Sequence, residues 1–268
     1  MPATLPVVLT IAGSDNSAGA GAQADLKTAS ALGCYGVTAI TCVVAEVPGI
    51  VSAIHPIPPE IVAEQVRLLF GAFPIGALKT GMLYSREIIA AVCDTLEICA
   101  RQVPMVIDPV MIATSGDRLL RDDAVDLYRE RLFPRATLVT PNLDEAIALL
   151  GDEITTVAAM RAAGQELARR HGCAWLIKGG HLRGDNATDV LVSANGDTEE
   201  FHAAYIPGVS THGTGCTTSA AIAAALARGL LLRDAVREAK KFVHTAIAGF
   251  LRWEHAGKQT DALHHFAS

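Results

Sequence analysis

No stretch of the chain reaches the roughly 18 consecutive apolar residues that a membrane-spanning helix requires, so no membrane span is expected. The start, M-P-A-T-L-P-V-V-L-T-I-A-G, has no basic segment before its short apolar run, which argues against a secretory signal. Lys and Arg form no cluster and the formal charge is -6, so nucleic acid is not an expected partner. The cysteines at 34, 42, 93, 99, 173 and 216 show no C-x-x-C pair and no zinc-finger spacing, and no H-E-x-x-H occurs. Reduced thiols in a cytoplasmic protein are expected, with Cys34, Cys42, Cys93 and Cys173 structural because their surroundings are apolar. The phosphate-loop pattern G-x-x-x-x-G-K-[ST] is missing, and so are H-R-D and D-F-G. No internal repeat or low-complexity linker divides the chain.

What is present is a chain of 268 residues, 50% hydrophobic and 19% charged, enough for one large domain over residues 1–268. Apolar runs alternate with helical patterns throughout. Strands are predicted at Leu5–Ala12, Val37–Val44, Ile50–Pro56, Ile75–Lys79, Met105–Ile107, Thr137–Val139 and Ala174–Ile177. Helices are predicted at Ala20–Leu32, Pro59–Phe70, Ser85–Cys99, Asp122–Leu132, Leu143–Leu150 and Thr156–His171, then near Cys216–Ala227 and Leu232–Trp253. Thr188–Val192 and Glu200–Ala204 flank Asn195-Gly196 and predict a hairpin. Short apolar strands separated by helices predict a three-layer α/β/α fold, with a mostly parallel sheet covered on both faces. Ligands of such sheets bind outside the carboxyl ends of the strands.

The unusual polar and glycine residues fall at those ends. S-T-H-G-T-G-C-T-T, Ser210 to Thr218, joins a tight turn to a helix. Backbone N–H groups there form an anion cradle, and the helix field is expected to lower the Cys216 thiol pKa. Taken alone, the segment is equally a Gly-rich turn with a small buried cysteine. G-S-D-N-S-A-G-A-G-A-Q-A-D, Gly13 to Asp25, lacks the dinucleotide fingerprint spacing. Asp25, a turn into its helix, either accepts bonds from a ligand's ring nitrogen or amine, or is merely solvated in a helix capped by Asp15, Asn16 or Ser17. K-T-G-M-L, from Lys79, offers Met82 as a soft wall or core filler. D-P-V-M-I-A-T-S-G-D begins with Asp108, suited to Mg²⁺ through water or to an Asx-turn. T-P-N-L-D-E-A contains a capping box, Asn142 to Glu145, whose acid can also face a phosphate. K-G-G-H-L sets Lys178 before two glycines, where it can reach a phosphate as a point charge, whereas His181 alone is weak evidence. Together these segments point to a phosphoryl transferase using a nucleoside triphosphate.

L-T-I-A-G-S-D, A-G-A-G-A-Q-A-D-L-K-T, K-T-G-M-L, D-P-V-M, T-P-N-L-D-E-A, K-G-G-H-L and T-H-G-T-G-C-T closely resemble the hydroxymethylpyrimidine/phosphomethylpyrimidine kinases of thiamine biosynthesis, in the ribokinase-like superfamily. The match runs in order from Leu9 to the His264-His265-Phe266 ending. The resemblance implies one α/β domain, a homodimer, and ATP- and Mg²⁺-dependent phosphorylation of 4-amino-5-hydroxymethyl-2-methylpyrimidine, then of its monophosphate. It implies an anion hole of Gly213, Thr214, Gly215 and Cys216, with Cys216 where related sugar and nucleoside kinases generally carry Asp. The implied ring pocket is Gly13, Asp25, Val44, Glu46, Met82 and Val110. The implied nucleotide side is Asn142, Lys178 and Gly180, and the implied Mg²⁺ acids are Asp108 and Glu145. One position departs: the family usually reads A-Q-N-T where this chain reads A-E-V-P, placing Glu46 at the Gln position. An ionised Glu only accepts, so a ring nitrogen needing a donor would be left unpaired at a cost of about 1–3 kcal/mol unless it is protonated. Pyridoxal kinases with the same Cys-containing motif are the alternative, and a non-catalytic binding protein using the same pocket is the remaining one.

Overall fold

The computed structural model describes residues 4–111, 122–180, 182, 186–209 and 212–267. Ile112 to Asp117, His181, Ser210 and Thr211, parts of three motifs above, lie outside the described residues.

The first strand, β1 (Val7–Asp15), shows why the sheet is buried on both sides. Its side chains alternate between two cores: Val7, Leu9 and Ile11 face one, and Val8 faces the other. Helix α1 (Gly21–Ala31) returns the chain to β2 (Tyr35–Val47), which pairs parallel to β1 and turns into an antiparallel edge strand, β3 (Ile50–Pro56). Helix α2 (Pro59–Ala72) then carries the chain across to β4 (Ile75–Thr80), on the other side of β1. From there the sheet grows one way through α3 (Arg86–Cys99), β5 (Met105–Ile107), α4 (Asp122–Leu127), β6 (Leu138–Val139), α5 (Leu143–Leu150), α6 (Val157–His171) and β7 (Ala174–Gly179). The expected Asp122–Leu132 helix holds as α4 plus a π-helical turn, Tyr128–Leu132. The hairpin β8 (Asn186–Val192) and β9 (Thr198–Ala204) closes the sheet through Gly196 at φ 90°.

The strand order is β3-β2-β1-β4-β5-β6-β7-β8-β9, parallel from β2 to β7 and antiparallel at both edges. Its winding reverses at β1, the switch point at which ligands of open α/β sheets bind. Helices α2, α3, α5 and α6 cover one face. Helices α1, α7 (Thr214–Ala227) and α8 (Leu232–Ala248) cover the other. Helix α7 is so rich in alanine that Thr217 through Ala225 are all buried, which lets it lie close to the strands.

The expected helix Leu232–Trp253 is a correction. It stops at Ala248, and Leu251–His255 (β10) pairs with Lys258–Ala262 (β11) in a separate hairpin. Ala256 and Gly257 both have positive φ, 49° and 72°, the turn that joins two-residue hairpins. None of the described helices is long and apolar enough to cross a membrane.

Candidate active site

A cavity of about 630 Å³ opens at the carboxyl ends of β1, β2, β4, β5, β6 and β7. Every candidate residue named from the sequence lines it except Asp25.

Its centre is the head of α7. Gly213 caps that helix at φ 83°, and a Cβ there would overlap the carbonyl oxygen of Gly19, so only glycine fits. At Gly215 an added Cβ would stand 3.2 Å from Lys178 Nζ and 3.5 Å from Asp108 Oδ2. The first N–H groups of a helix have no partner within it, and no acidic side chain occupies this first turn. The result is a positive helix end beside an ammonium group, suited to a phosphate.

Three strand ends supply the charges around that turn. Lys178, on β7, donates to Asp108 Oδ1 at 3.1 Å, and Ser219 of α7 donates to Asp108 Oδ2 at 3.3 Å. Burial pushes the Lys178 ammonium down, but Asp108 and Glu145 outweigh it and hold Lys178 above its ordinary range. Asn142 and Glu145 form the expected capping box of α5. Glu145 also accepts from the Met111 N–H at 3.3 Å, and burial, with Asp108 adding to it, pushes its carboxyl up to about 7. Capping and cavity lining are thus done by one carboxylate.

Cys216 reverses the expectation for its thiol. It is half-buried in the cavity wall, and burial pushes the thiol up to about 11 although Lys79 and a Gly21 N–H oppose this. Desolvation of the thiolate outweighs the charge of Lys79 here.

Asp25 is the residue that the structure places elsewhere. It is fully buried beneath the cavity, where Lys79 Nζ binds its two oxygens at 2.9 and 3.0 Å and Thr10 donates at 2.5 Å. Burial pushes the Lys79 ammonium down, but Asp25 outweighs it and holds the lysine above its usual range. Asp25 therefore anchors α1 to β1 and β4, and no oxygen is turned to the cavity as a ring acceptor. Its partner lies 54 residues away on another strand, a pairing that no local pattern signals.

One end of the cavity is built by β1, β2 and the segments after β4 and β5. Gly13, Val44, Glu46, Met82 and Val110 line it. A Cβ at Gly13 would come within 2.9 Å of the Cys42 sulfur, so the wall closes only around glycine. Glu46 is tied in by its N–H, which donates to Asn16 at 2.6 Å, and burial, then the charge of Asp15, lifts its carboxyl above the ordinary range.

Sequence reasoning missed three lining features. Asp15 is not a helix cap; it folds the loop before α1 by accepting from the N–H groups of Ser17, Gly19 and Ala20. His212 stands 3.5 Å from Asp15, which raises the imidazole pKa. At the far end, Lys240 pairs with Asp189 at 2.7 Å among Leu176, Val236, Val243 and Ile247. Asp15 and His212 sat inside quoted motifs, whereas Lys240 and Asp189 carry no local signal.

A sheet wound around a switch-point cavity, closed by a glycine turn at the head of a buried alanine helix, defines a ribokinase-like kinase fold. Comparison with known proteins narrows this. The family model for phosphomethylpyrimidine kinase matches residues 15–261. The chain is 46% identical to the hydroxymethylpyrimidine/phosphomethylpyrimidine kinase of Rhizobium meliloti over 97% of each chain. Among solved structures it superposes on an ADP complex of Bacillus subtilis pyridoxal kinase with TM-score 0.88, at 35% identity over 98% of each chain. It superposes on phosphomethylpyrimidine kinase from Clostridium difficile with TM-score 0.79, at 38% identity over 90% of this chain and 99% of that one. The chain belongs to the phosphomethylpyrimidine kinase family.

Proposed function

We propose that this protein transfers the γ-phosphoryl group of ATP, with Mg²⁺, to the hydroxymethyl group of 4-amino-5-hydroxymethyl-2-methylpyrimidine and then to the monophosphate so formed. The observation that carries the reading is the Lys178–Asp108 pair lying against Gly215, at the middle of one continuous cavity. On one side is the Gly13, Val44 and Met82 wall for a ring; on the other is an apolar space for a nucleotide base. The resemblance to kinases of both activities supports the ring class.

Asp108 and Glu145 suit a hard divalent cation. Both are buried carboxylates on the same cavity, and the charge of Asp108 adds to the proton affinity of Glu145, a repulsion that such a cation relieves. Bound Mg²⁺ would be held by Asp108 and Glu145 and would neutralise phosphate charge. In the transfer, the hydroxymethyl oxygen bonds to the γ-phosphorus, the bond from that phosphorus to the β–γ bridging oxygen breaks, and ADP leaves. The hydroxyl proton passes to Cys216 as the thiolate, the form that burial disfavours by holding the thiol up at about 11. A loose phosphoryl transition state calls on a base late, so the backbone donors of Gly213 to Cys216 and the Lys178 ammonium carry most of the stabilisation.

A pyridoxal or pyridoxine kinase is the second reading, favoured by the carboxylate of Glu46 at the ring end and by the likeness to the Bacillus subtilis enzyme. The test is kcat/KM for hydroxymethylpyrimidine, its monophosphate, pyridoxal and pyridoxine, with Glu46→Gln in parallel. The pyrimidine is expected to win in the native chain, and preference for pyridoxal there would overturn the assignment. An unchanged preference ratio in Glu46→Gln would remove Glu46 as the selector.

A further inference from the structure

The head of α7 holds two glycines and no side-chain cap, so its own sequence leaves the phosphate-binding turn loosely determined. Something outside the helix must fix it. From the cavity side Ser219 ties the helix to Asp108. From the opposite side the tie comes from the last residues of the chain.

After α8 the chain runs through β10 and β11, whose residues are exposed except for Asp261 and Ala262. A hairpin that buries so little adds little to the core. Its effect is to turn the chain back: Arg252 grips Asp261 at 2.7 and 2.8 Å, and the His264 N–H donates to Ala246 of α8 at 3.1 Å. Leu263 and His265 are then buried at 3% exposure each, and Ala267 packs against Gly249. His265 Nε2 lies 3.1 Å from Oγ1 of Thr217, a fully buried residue whose N–H donates to Gly213 at 2.9 Å. Burial pushes the His265 imidazole down to about 4, so the ring is neutral at working pH. It also hydrogen-bonds the Leu263 backbone. A neutral ring has one donor and one acceptor, so with its N–H given to the Leu263 carbonyl, Nε2 accepts from the Thr217 hydroxyl.

We propose that His265 is a positioning residue for phosphoryl transfer, acting through Thr217 to hold the Gly213–Cys216 turn in register with Lys178 and Asp108. The C-terminal segment is therefore part of the working site although it does not line the cavity. This rests on the kinase reading above. A displacement of about 1 Å at a reacting centre can cost on the order of 10²-fold in rate.

The experiment compares His265→Ala, Thr217→Val and the double variant in the full chain, measuring folding by circular dichroism, kcat, and KM for both ATP and the heterocycle. Each single variant is expected to lower kcat by roughly ten- to a hundredfold. KM for the heterocycle should stay within about twofold, because the ring wall is untouched, and the double variant should be no slower than the slower single one. A folded His265→Ala protein with native kcat, or two single effects that multiply in the double, would overturn the proposal. So would a loss of thermal stability with unchanged kcat at low temperature. If His265→Ala does not fold, Thr217→Val decides alone, since it removes only the hydroxyl. Failure of the native chain to turn over any heterocycle would count against the kinase reading instead; the His265–Thr217 tie is then judged from calorimetric ADP affinity, which both single variants should weaken equally.

Discussion

At the scale of single residues, the proposed site divides into positions that line the cavity and positions that hold those in place. Cys216→Ala should lower kcat by about 10²-fold, the low end for a lost base, because the backbone donors of the turn remain. Its ATP affinity should change less than about threefold, and near-native turnover would remove the sulfur from the mechanism. Asp25→Ala should behave oppositely. Stripping the partner from the buried Lys79 is expected to cost about 3–5 kcal/mol in urea unfolding. KM for the heterocycle should change little in the fraction that stays folded, since Asp25 faces Lys79 and not the cavity. Lys178, Asp108, Glu145 and the Gly213–Cys216 turn were legible in the sequence because each directly follows or ends an apolar run. The pairing of Asp25 with Lys79 was not legible because its helix and its lysine belong to separate motifs. The Cys216 thiol was misread in sign because a helix start is visible in sequence, whereas the depth of burial is not.

At the scale of elements, α5 shows how one acid serves two purposes, and pH separates them. Glu145 is held up near 7 against an ordinary value of 4.5, so the folded chain binds its proton more tightly than the unfolded chain does. Stability from this group is therefore fullest below 4.5 and falls as pH rises towards 7. Glu145→Gln keeps the capping box but removes the charge. The variant should gain about 1–3 kcal/mol relative to the native chain between pH 5 and 8, while losing Mg²⁺-supported turnover. Parallel urea titrations at the two pH values check it, and a difference that does not depend on pH would refute it. Most elements were readable because the strands are short and apolar and the helices keep a stripe. The end of α8 was not, since Leu251 to His255 continue the helical spacing. Only Gly249 and the Ala256-Gly257 turn reveal that the chain has become extended.

At the scale of the whole molecule, the edge strand β3 and its neighbour β2 leave Val43, Val47, Ile50 and Val51 exposed. Apolar edges of this kind are usually covered in working proteins. A homodimer is therefore proposed for this chain, as the family resemblance implies. Light scattering at micromolar concentration should give twice the chain mass, and a monomer mass would contradict it. Neither the edge nor its partner was legible beforehand, because a strand's exposure depends on where it falls in the sheet.

The seat of Gly213 against Gly19 has a consequence for how the protein is made. The loop that leads into α1 is synthesised long before the turn that completes the cavity. At roughly 5–20 residues per second, the early half of the pocket waits on the order of ten to forty seconds for its counterpart. A ribosome-bound or prematurely ended chain can pair β1, β2 and β4 yet own no place to put a phosphate. A chain that has not yet reached Gly213 thus lacks the turn that completes the cavity.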